Sequence, residues 1–350
     1  MTRIAVDAMG GDHAPHEIVA GAVWGAYDYG VALELVGKKE VIEEELKKIS
    51  THGFLSDCGT AGKQRRVKID TSKLDIKITH ASEVIEMGEA PGQAIRKKKD
   101  SSIVLTVDAV AKGSSDALVA AGSTGAAMAS SLFGLGRIHG IDRPAIAVTL
   151  PTMKKPIIII DGGANSNSTP EMLHQFAVMG SIFSKNVLGI ENPRIGVLNI
   201  GEEAGKGNEL AKGTYDLLKE HSDKLNFVGN IEGKEVFLNI ADVVVCDGFV
   251  GNVALKITEG TSSLLFKMIK EQFKSDIIGA IVGSLAKPFM KRIYRRINYE
   301  EFGGCLLLGV KGITVIAHGR SKAYAIKNAV RVAKESVETG VNANIAKYYE

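Results

Sequence analysis

The sequence predicts an α/β protein in which a largely parallel sheet lies between two layers of helices. Short apolar runs rich in valine and isoleucine recur along the chain, for example at 3–9, 156–161 and 242–248. Most segments between them carry apolar residues at helical spacing, as in 170–189 and 208–222. Strands that alternate with helices, and that are apolar on both faces, are typical of a parallel sheet covered on both sides.

Ten runs are predicted as strands. In chain order they are RIAVDAM (3–9), VALELVG (31–37), DIKIT (75–79), DALVAAG (116–122), AIAVTL (145–150), PIIIID (156–161), RIGVLNI (194–200), LNFVGNI (225–231), DVVVCDG (242–248) and GITVIAH (312–318). A long helical pattern replaces this rhythm at 261–298 and predicts an insertion or protrusion. Because no repeat or linker divides the chain, residues 1–350 are predicted to form one catalytic unit, and a division into two lobes that share the sheet stays open.

Composition bounds the class of protein. With 350 residues, of which 45% are hydrophobic, the chain can bury a large core. Its net charge of +3 is too small to favour nucleic acid as a partner. The isolated cysteines Cys58, Cys246 and Cys305 favour a reducing compartment, and neither a leader pattern nor a membrane-length apolar run is visible. A cytoplasmic protein is expected.

Polar residues and glycines follow nearly every predicted strand. Ligands of such sheets bind outside the carboxyl ends of the strands, so these residues are treated as one candidate set. Turns and caps account for about half of them. The set comprises Asp7, Gly10, Gly11, Asp12, His13, His80, Ser123, Thr124, Asp161, Asn165, Asn199, Glu202, Asn230, Asp247, Asn252 and His318.

The turn Gly122-Ser123-Thr124-Gly125 lies between a predicted strand and a helix of small residues. Free amide groups at a helix start, together with the helix dipole, form a natural seat for an anion. The sequence of the turn matches neither the ATP-binding loop nor the dinucleotide fingerprint. Taken alone, the turn can equally be a good helix cap.

Other candidates carry charge. Lys206, in a glycine-containing loop after a strand, is a candidate point charge for a phosphate or an oxyanion, and the alternative is a solvated surface lysine. The basic run 96–99 is first a solvated helix end and second an anion clamp. His80 is a candidate general acid or base, although a lone histidine is more often structural. His13 and His16 lack a third ligand, so no metal site is predicted.

The segment 277–297 combines an apolar face with basic residues. The apolar residues are Ile277, Ile278, Ile281, Val282, Leu285, Phe289 and Ile293, and the basic residues are Lys287, Lys291, Arg292, Arg295 and Arg296. A helix that lies on an anionic membrane surface and a helix that packs against a partner subunit fit this composition about equally. Pro288 is predicted to break or restart the helix.

Several stretches together resemble the bacterial acyl-acyl carrier protein:phosphate acyltransferases (PlsX) of phospholipid synthesis. The stretches occur in family order between residue 4 and about residue 330. They are VDAMGGDHAP, THASEVIEMGEAPGQAIRKKKDSS, AGSTGAAMA with LGRIHGIDRPA, DGGAN, GVLNIGEEAGKG, FVGNIEGKEV, DVVVCDGFVGNVALK and FGGCLLLGVKGITVIAHG. One position departs from the family pattern, because Asn167 stands where the family has a carboxylate, so an acid or base role there is in doubt.

The resemblance implies a fold similar to isopropylmalate dehydrogenases and phosphotransacetylases, with the helical protrusion added. It implies transfer of a fatty acyl group from acyl carrier protein to inorganic phosphate, by a homodimer that is cytoplasmic and contacts the membrane peripherally. No cofactor or metal is implied. Phosphate is its own nucleophile in this reaction, so a covalent serine or cysteine is not needed.

Roles follow as hypotheses. The Gly122–Gly125 turn is expected to hold phosphate with help from Lys206 or Arg143. Asn199 or Asn230 is expected to donate to the oxyanion, and His80 to move protons. The remaining expected substrate contacts are Asp161, Asn165, Glu202, Asp247 and Asn252.

Three alternatives remain at this stage: a phosphotransacetylase that uses acyl-coenzyme A, a dehydrogenase of related fold, and a non-enzymatic scaffold at the membrane that binds acyl carrier protein. The acidic carrier protein is expected to land on Arg96–Lys99 or on Lys63–Lys68.

Overall fold

The computed structural model describes residues 1–56 and 65–350 of the chain. Within these residues a sheet of eleven strands is covered by helices on both faces, which confirms the predicted fold class. Its strands are β1 Arg3–Asp7, β2 Ala32–Gly37, β5 Ile76–His80, β6 Ala117–Ala120, β7 Ala145–Leu150, β8 Ile157–Ile160, β9 Ile195–Asn199, β10 Phe227–Glu232, β11 Val243–Val245, β12 Cys305–Leu308 and β13 Ile313–Ile316. A separate hairpin is formed by β3 Phe54–Ser56 and β4 Arg65–Val67.

The strand order is β10-β9-β11-β8-β7-β12-β13-β6-β1-β2-β5. The first half of the chain supplies the parallel group β6, β1, β2 and β5, and β13 joins its inner edge. Residues 157–245 supply the parallel group β8, β11, β9 and β10. Because β7 and β12 pair antiparallel with each other and with the strands beside them, the two groups run in opposite directions. We refer to them as the first group and the second group.

The carboxyl ends of the opposed groups point in opposite directions, so the strand-end residues do not all lie along one edge of the sheet. The register nevertheless brings the inner ends level. One row of paired residues crosses the middle of the sheet through Ile160, Ala147, Leu306, Val315 and Val119. β8 ends in this row and β6 ends one residue beyond it, so the loops that follow these two strands leave the sheet at nearly the same level.

The helices are α1 His16–Tyr29, α2 Lys39–Thr51, α3 Pro91–Lys97, α4 Ser102–Ala111, α5 Thr124–Leu135, α6 Pro170–Leu188, α7 Glu209–Glu220, α8 Gly248–Gln272, α9 Ile277–Ile297, α10 Ala323–Glu338 and α11 Val341–Tyr348. Successive side chains of a strand point to opposite faces of the sheet, so each strand contributes residues to the core on both sides. On one face the core includes α1, α2, α6, α7, α10 and α11. On the other face α3, α4 and α5 cover the first group, whereas α8 covers the second.

All ten predicted runs contain strands, and β12 was missed. Its sequence CLLL lies only a few residues before β13 and was quoted only within the long match at 302–319. The prediction for Pro288 was wrong, because α9 continues through it. None of the residues of α9 with a described burial is buried, so water can satisfy the carbonyl group that the missing N–H leaves unpaired.

The segment predicted as a helical insertion is occupied by the end of α8 and by α9, and the helical run already begins at Gly248. The two helices pack against each other near their connection, where a side chain at Gly283 would lie 2.8 Å from Cβ of Phe273. In the part of the chain that the structure describes, no helix is long and apolar enough to cross a membrane. The division of the chain into lobes stays a prediction.

Candidate active site

The carboxyl ends of the second group gather most of the predicted site residues. Asp161 and Asn165 follow β8, and Asn199 is the last residue of β9. Asp247 caps α8 after β11, and Asn252 lies in the first turns of that helix. Asn230 lies in β10 beside β9. This cluster, with Glu202 and Lys206 in the loop after β9, is called the second-group site below.

Asp161 organises its own loop. The side chain is fully buried, and its carboxylate accepts hydrogen bonds from the backbone N–H groups of Ile146, Gly163, Ala164 and Asn165 at 2.7–3.1 Å. The side-chain amide of Asn165 donates to it as well, at 2.9 Å. Burial raises the pKa of Asp161, and these hydrogen bonds oppose the rise. A carboxylate with so many internal donors shapes the loop and has little capacity left for a substrate.

Asn165 is similarly committed, because its side-chain amide also donates to the carbonyl oxygen of Pro144 at 2.8 Å. Both residues thus fix the loop 161–165 against the start of α8, where the N–H of Gly248 donates to the carbonyl oxygen of Asn165 at 2.8 Å. Asp247 caps α8 by accepting from the N–H groups of Phe249 and Val250. These contacts explain the polar sequence without a ligand.

Asn252 differs from these residues. It is exposed in the first turns of α8, and a side chain at Gly163 would lie 3.4 Å from its Cβ. Within residues 1–56 and 65–350 its amide has no hydrogen-bond partner, so it can donate to a bound molecule.

The loop 200–207 is fixed at both ends by asparagines. Asn199 accepts from the N–H of Ile200 at 2.8 Å and donates to the carbonyl oxygen of Lys206 at 3.1 Å. Asn230 donates to the carbonyl oxygen of Glu203 at 2.9 Å, and its own carbonyl oxygen is buried without a partner among the described residues. The expected oxyanion role of Asn199 and Asn230 thus competes with a structural one.

Lys206 is exposed, and its ammonium group forms no ion pair with any residue that the structure describes. Its backbone leads directly into Gly207 and the start of α7, where Asn208 caps the helix by accepting from the N–H of Ala211 at 2.9 Å. The first turn of a helix carries partial positive charge. A free ammonium group beside it favours an anion there. Glu202 is also exposed, and its carboxylate would repel phosphate.

A cavity of about 310 Å³ opens beside this loop. Its lining residues come from β9, α6, α7 and the start of α8. They are Leu173, Val197, Leu198, Asn199, Ile200, Gly207, Asn208, Leu210, Ala211, Cys246, Asp247 and Val250. The cavity is called the β9 cavity below.

The Gly122–Gly125 turn lies in the first group. It begins α5, and Ser123 caps the helix by accepting from the N–H of Ala126 at 3.4 Å. The buried carboxyl group of Asp7 lies nearby, because a side chain at Gly10 would lie 2.6 Å from its Oδ2 and 3.0 Å from N of Gly122. Burial raises the pKa of Asp7. When ionised, this carboxyl group would oppose the binding of an anion to the turn.

The expected pairing of this turn with Lys206 joins distant strands. β6 is the eighth strand of the sheet and β9 the second, which corresponds to about 29 Å at about 4.8 Å per strand. His80 is farther away, on the outermost strand β5, where its Nδ1 accepts from the N–H of Lys39 at 3.3 Å. Because β5 and β9 lie near opposite edges of the sheet, His80 and Lys206 do not share a site within one chain. Arg143 is exposed in the loop before β7. It directly precedes Pro144, whose carbonyl oxygen accepts the hydrogen bond from Asn165.

α8 connects the two groups. Beyond Asn252 it carries Lys256 and Glu259, which form an ion pair of 2.8 Å. Both are close enough to His318, after β13, to influence its titration: partial burial and the charge of Lys256 lower the pKa of His318. The sequence placed His318 among the strand ends but gave it no role, and it did not single out Lys256. Their only signal was that i, i+4 spacing puts Asn252 and Lys256 on one helix face.

Several further predictions concern regions outside these sites. In the basic run Arg96–Lys99, Lys98 forms an ion pair with Glu89 at 2.6 Å. The other three residues of the run are exposed. Cys58, and Lys63 of the alternative patch Lys63–Lys68, lie outside the described residues. Asn167 is exposed in the loop before α6. Over the described part of the chain, no group of three histidine, cysteine or acidic residues is placed to hold a metal ion.

Comparison with known proteins decides the family. The family model described as fatty acid synthesis protein matches residues 2–344. A phosphate acyltransferase of Heliobacterium modesticaldum is 50% identical over 346 residues, 99% of this chain and 97% of that protein. One from Halothermothrix orenii is 47% identical over 97% of this chain and 96% of that protein. The chain belongs to the phosphate acyltransferase family.

As a member of the phosphate acyltransferase family, the chain is an enzyme of the acyltransferase class. Solved structures agree with the fold. A phosphotransacetylase from Streptococcus pyogenes superposes with a TM-score of 0.62 at 15% identity, over 96% of this chain and 94% of that one. A 4-hydroxythreonine-4-phosphate dehydrogenase from Klebsiella pneumoniae superposes with a TM-score of 0.53 at 14% identity, over 96% and 100%. At such identities these structures support the fold alone.

Proposed function

We propose that this phosphate acyltransferase moves a fatty acyl group from the thioester of acyl carrier protein to inorganic phosphate, which yields an acyl phosphate and free carrier protein for membrane phospholipid synthesis. The observation that carries the proposal is an exposed lysine, Lys206, which has no ion pair among the described residues and directly precedes Gly207, a residue that lines the β9 cavity. Phosphate is held by charge, whereas an acyl chain is held by apolar contact. The second-group site offers both within one loop.

The reaction joins an oxygen of phosphate to the carbonyl carbon of the thioester. The tetrahedral intermediate then expels the thiolate of the carrier arm, which takes up a proton from the surroundings. Lys206 neutralises the phosphate and holds it for attack. Asn252, whose amide has no partner among the described residues, donates a hydrogen bond to the oxyanion of the intermediate. This assignment replaces Asn199 and Asn230 as donors, because their amides already hold the loop 200–207.

The proposed donor, acyl carrier protein, is acidic and needs a basic landing surface. The exposed Arg96, Lys97 and Lys99 supply one on α3 and just after it. Such contacts between exposed charges steer encounter and weaken with salt. A short-chain enzyme that uses acyl-coenzyme A would not need this surface.

The product is amphiphilic, so we also propose peripheral contact of this otherwise cytoplasmic enzyme with the membrane, through α9. Its apolar stripe is exposed: Ile277 is 81% and Leu285 72% exposed, and Ile278, Ile281 and Phe289 are at least 59% exposed. Gly283 faces α8 at Phe273, so the stripe points away from that helix. Basic residues toward the end of α9 suit anionic lipid headgroups. The same stripe suits the proposed homodimer, and the two uses need not be exclusive.

The function is tested by mixing the purified protein, long-chain acyl carrier protein and phosphate, trapping acyl phosphate with hydroxylamine and counting the released carrier thiol. We expect phosphate-dependent hydroxamate in a one-to-one ratio with thiol. The coenzyme A thioester of the same acid serves as the matched donor, and its preferential use would favour the phosphotransacetylase alternative. Carrier binding without either product would favour the scaffold and contradict the proposal.

A further inference from the structure

The β9 cavity is mainly apolar at its inner end and polar at its opening. Leu173, Val197 and Cys246 are at most 3% exposed, so they form the inner end. Ile200, Asn208 and Val250 are exposed and form the opening. Leu210 and Ala211, both half-buried in the first turn of α7, lie between. The cavity thus runs from the second-group site into the core.

Exposed apolar side chains lie at the opening and next to it along α8. Ile200 and Val250, which line the cavity, are 81% and 40% exposed. Phe249 and Val253, on the same helix as Val250, are also exposed. Apolar side chains clustered around the opening of a cavity mark a site for an apolar ligand.

Among the described residues that line the cavity, none carries a buried charge that would reject a hydrocarbon. Asp247, the one acidic residue of this lining, already accepts from two N–H groups of α8. The thiol of Cys246 has its pKa raised by burial and stays neutral. The volume of about 310 Å³ lies at the lower end of the range for small-ligand sites, about 300–1,000 Å³.

We propose that the β9 cavity receives the aliphatic chain of the acyl group and that Leu173 and Ala211 limit its length. The inference rests on the proposed function, because it assumes an acyl substrate whose carboxyl end lies near Lys206. In this arrangement the polar opening holds the reacting carbonyl group, while Leu173 at the inner end stops the terminal methyl group. Ala211 narrows the passage between them.

The test measures binding without turnover, using linear alkyl phosphonates of increasing length and calorimetry. Phosphonates are stable analogues of phosphate with an attached chain. We expect the Kd to fall about fourfold per methylene, the value for full burial, until the chain fills the cavity, and then to level off. A Kd that is independent of chain length would overturn the proposal.

Two variants locate the chain. Ala211→Leu should move the levelling point to chains shorter by about two to three carbons, because the larger side chain takes up that space. Leu210→Ala should move it the other way. Ala111→Leu, the same exchange at an exposed position of α4, is the control and should leave it in place. A levelling point that neither lining variant moves would place the chain elsewhere.

The outcome is separable from that of the proposed function. If wild-type protein forms no hydroxamate yet shows the length dependence, the function fails and the chain site stands. If hydroxamate forms and the length dependence is absent, only the chain site fails.

Discussion

At the scale of single residues, the clearest electrostatic feature is Glu34 in the interior of the sheet. This side chain on β2 is 2% exposed, and its carboxylate accepts from Lys77 Nζ at 2.8 Å and from Thr79 Oγ1 at 2.6 Å. The hydroxyl groups of Ser114 and Ser115 bind the other oxygen at 2.9 and 3.0 Å. Burial alone would raise its pKa, but these donors outweigh it and lower the pKa to about 2.

This shift makes a prediction about stability. The pKa of Glu34 is about 2 in the folded chain and close to 4.5 when unfolded, so its contribution is complete above pH 4.5 and disappears as the pH falls toward 2. Glu34→Gln should cost about 2–3 kcal/mol at pH 7, because it removes the negative charge and sets an NH2 donor against two of the groups that donate to the carboxylate. The cost should shrink at pH 3.

Urea denaturation at both pH values measures the effect. Glu220→Gln, at an exposed position of α7, is the control and should change the free energy of unfolding by less than about 0.5 kcal/mol. An equal cost of Glu34→Gln at pH 7 and pH 3 would show that the ionised form is not what stabilises the fold.

The sequence could identify which residue types lie at the site, but not which of them are free to contact a substrate. Asp161 and Asn165 stand where a ligand contact was expected, but their hydrogen bonds go to their own loop and to Pro144. A linear pattern cannot distinguish a carboxylate that shapes a loop from one that faces a ligand, because both need a polar residue at a strand end. Lys206 and Asn252 differ from the other site residues in having no side-chain partner among the described residues, and only the structure shows this.

At the scale of secondary-structure elements, α9 gives the most accessible test of the proposed membrane contact. Ile281→Glu places a charge in the exposed apolar stripe, which should reduce co-sedimentation with vesicles of anionic lipid by about tenfold. Ala280→Glu adds the same charge to the same helix outside the stripe and should retain binding. Undiminished binding of Ile281→Glu would assign the stripe to the contact between subunits.

Elements were predictable where apolar periodicity was strong. The ten apolar runs became strands because side chains on both faces of the sheet are buried, as at Ile157–Ile160. β12 was missed because its run CLLL is short and its neighbours are glycines. Its place in the sheet depends on β7, whose paired residues lie about 160 positions earlier in the chain. α9 continues through Pro288 because the helix is exposed and water can bind the carbonyl group left unpaired there. The local sequence pattern does not show this exposure.

At the scale of the whole molecule, the direction of the strands decides which residues can share a site. Parallel pairing within each group was predictable from alternating strands and helices. The reversal between the groups comes from β7 and β12, two antiparallel strands whose partners lie far apart in sequence. Consequently, Gly122 and Lys206 were assigned to one phosphate, although they belong to opposed groups of strands.

The central claim is that phosphate binds at the second-group site, and the dependence of the initial rate on phosphate concentration tests it most directly. Two matched variants each remove one polar group from an exposed position: Lys206→Met in the second group and Thr124→Val in the first. Loss of a charged hydrogen bond should raise the KM for phosphate about 10- to 100-fold in Lys206→Met, while Thr124→Val changes it less than about threefold. The reverse pattern, a large rise for Thr124→Val with little change for Lys206→Met, would place phosphate at the Gly122–Gly125 turn and contradict the account.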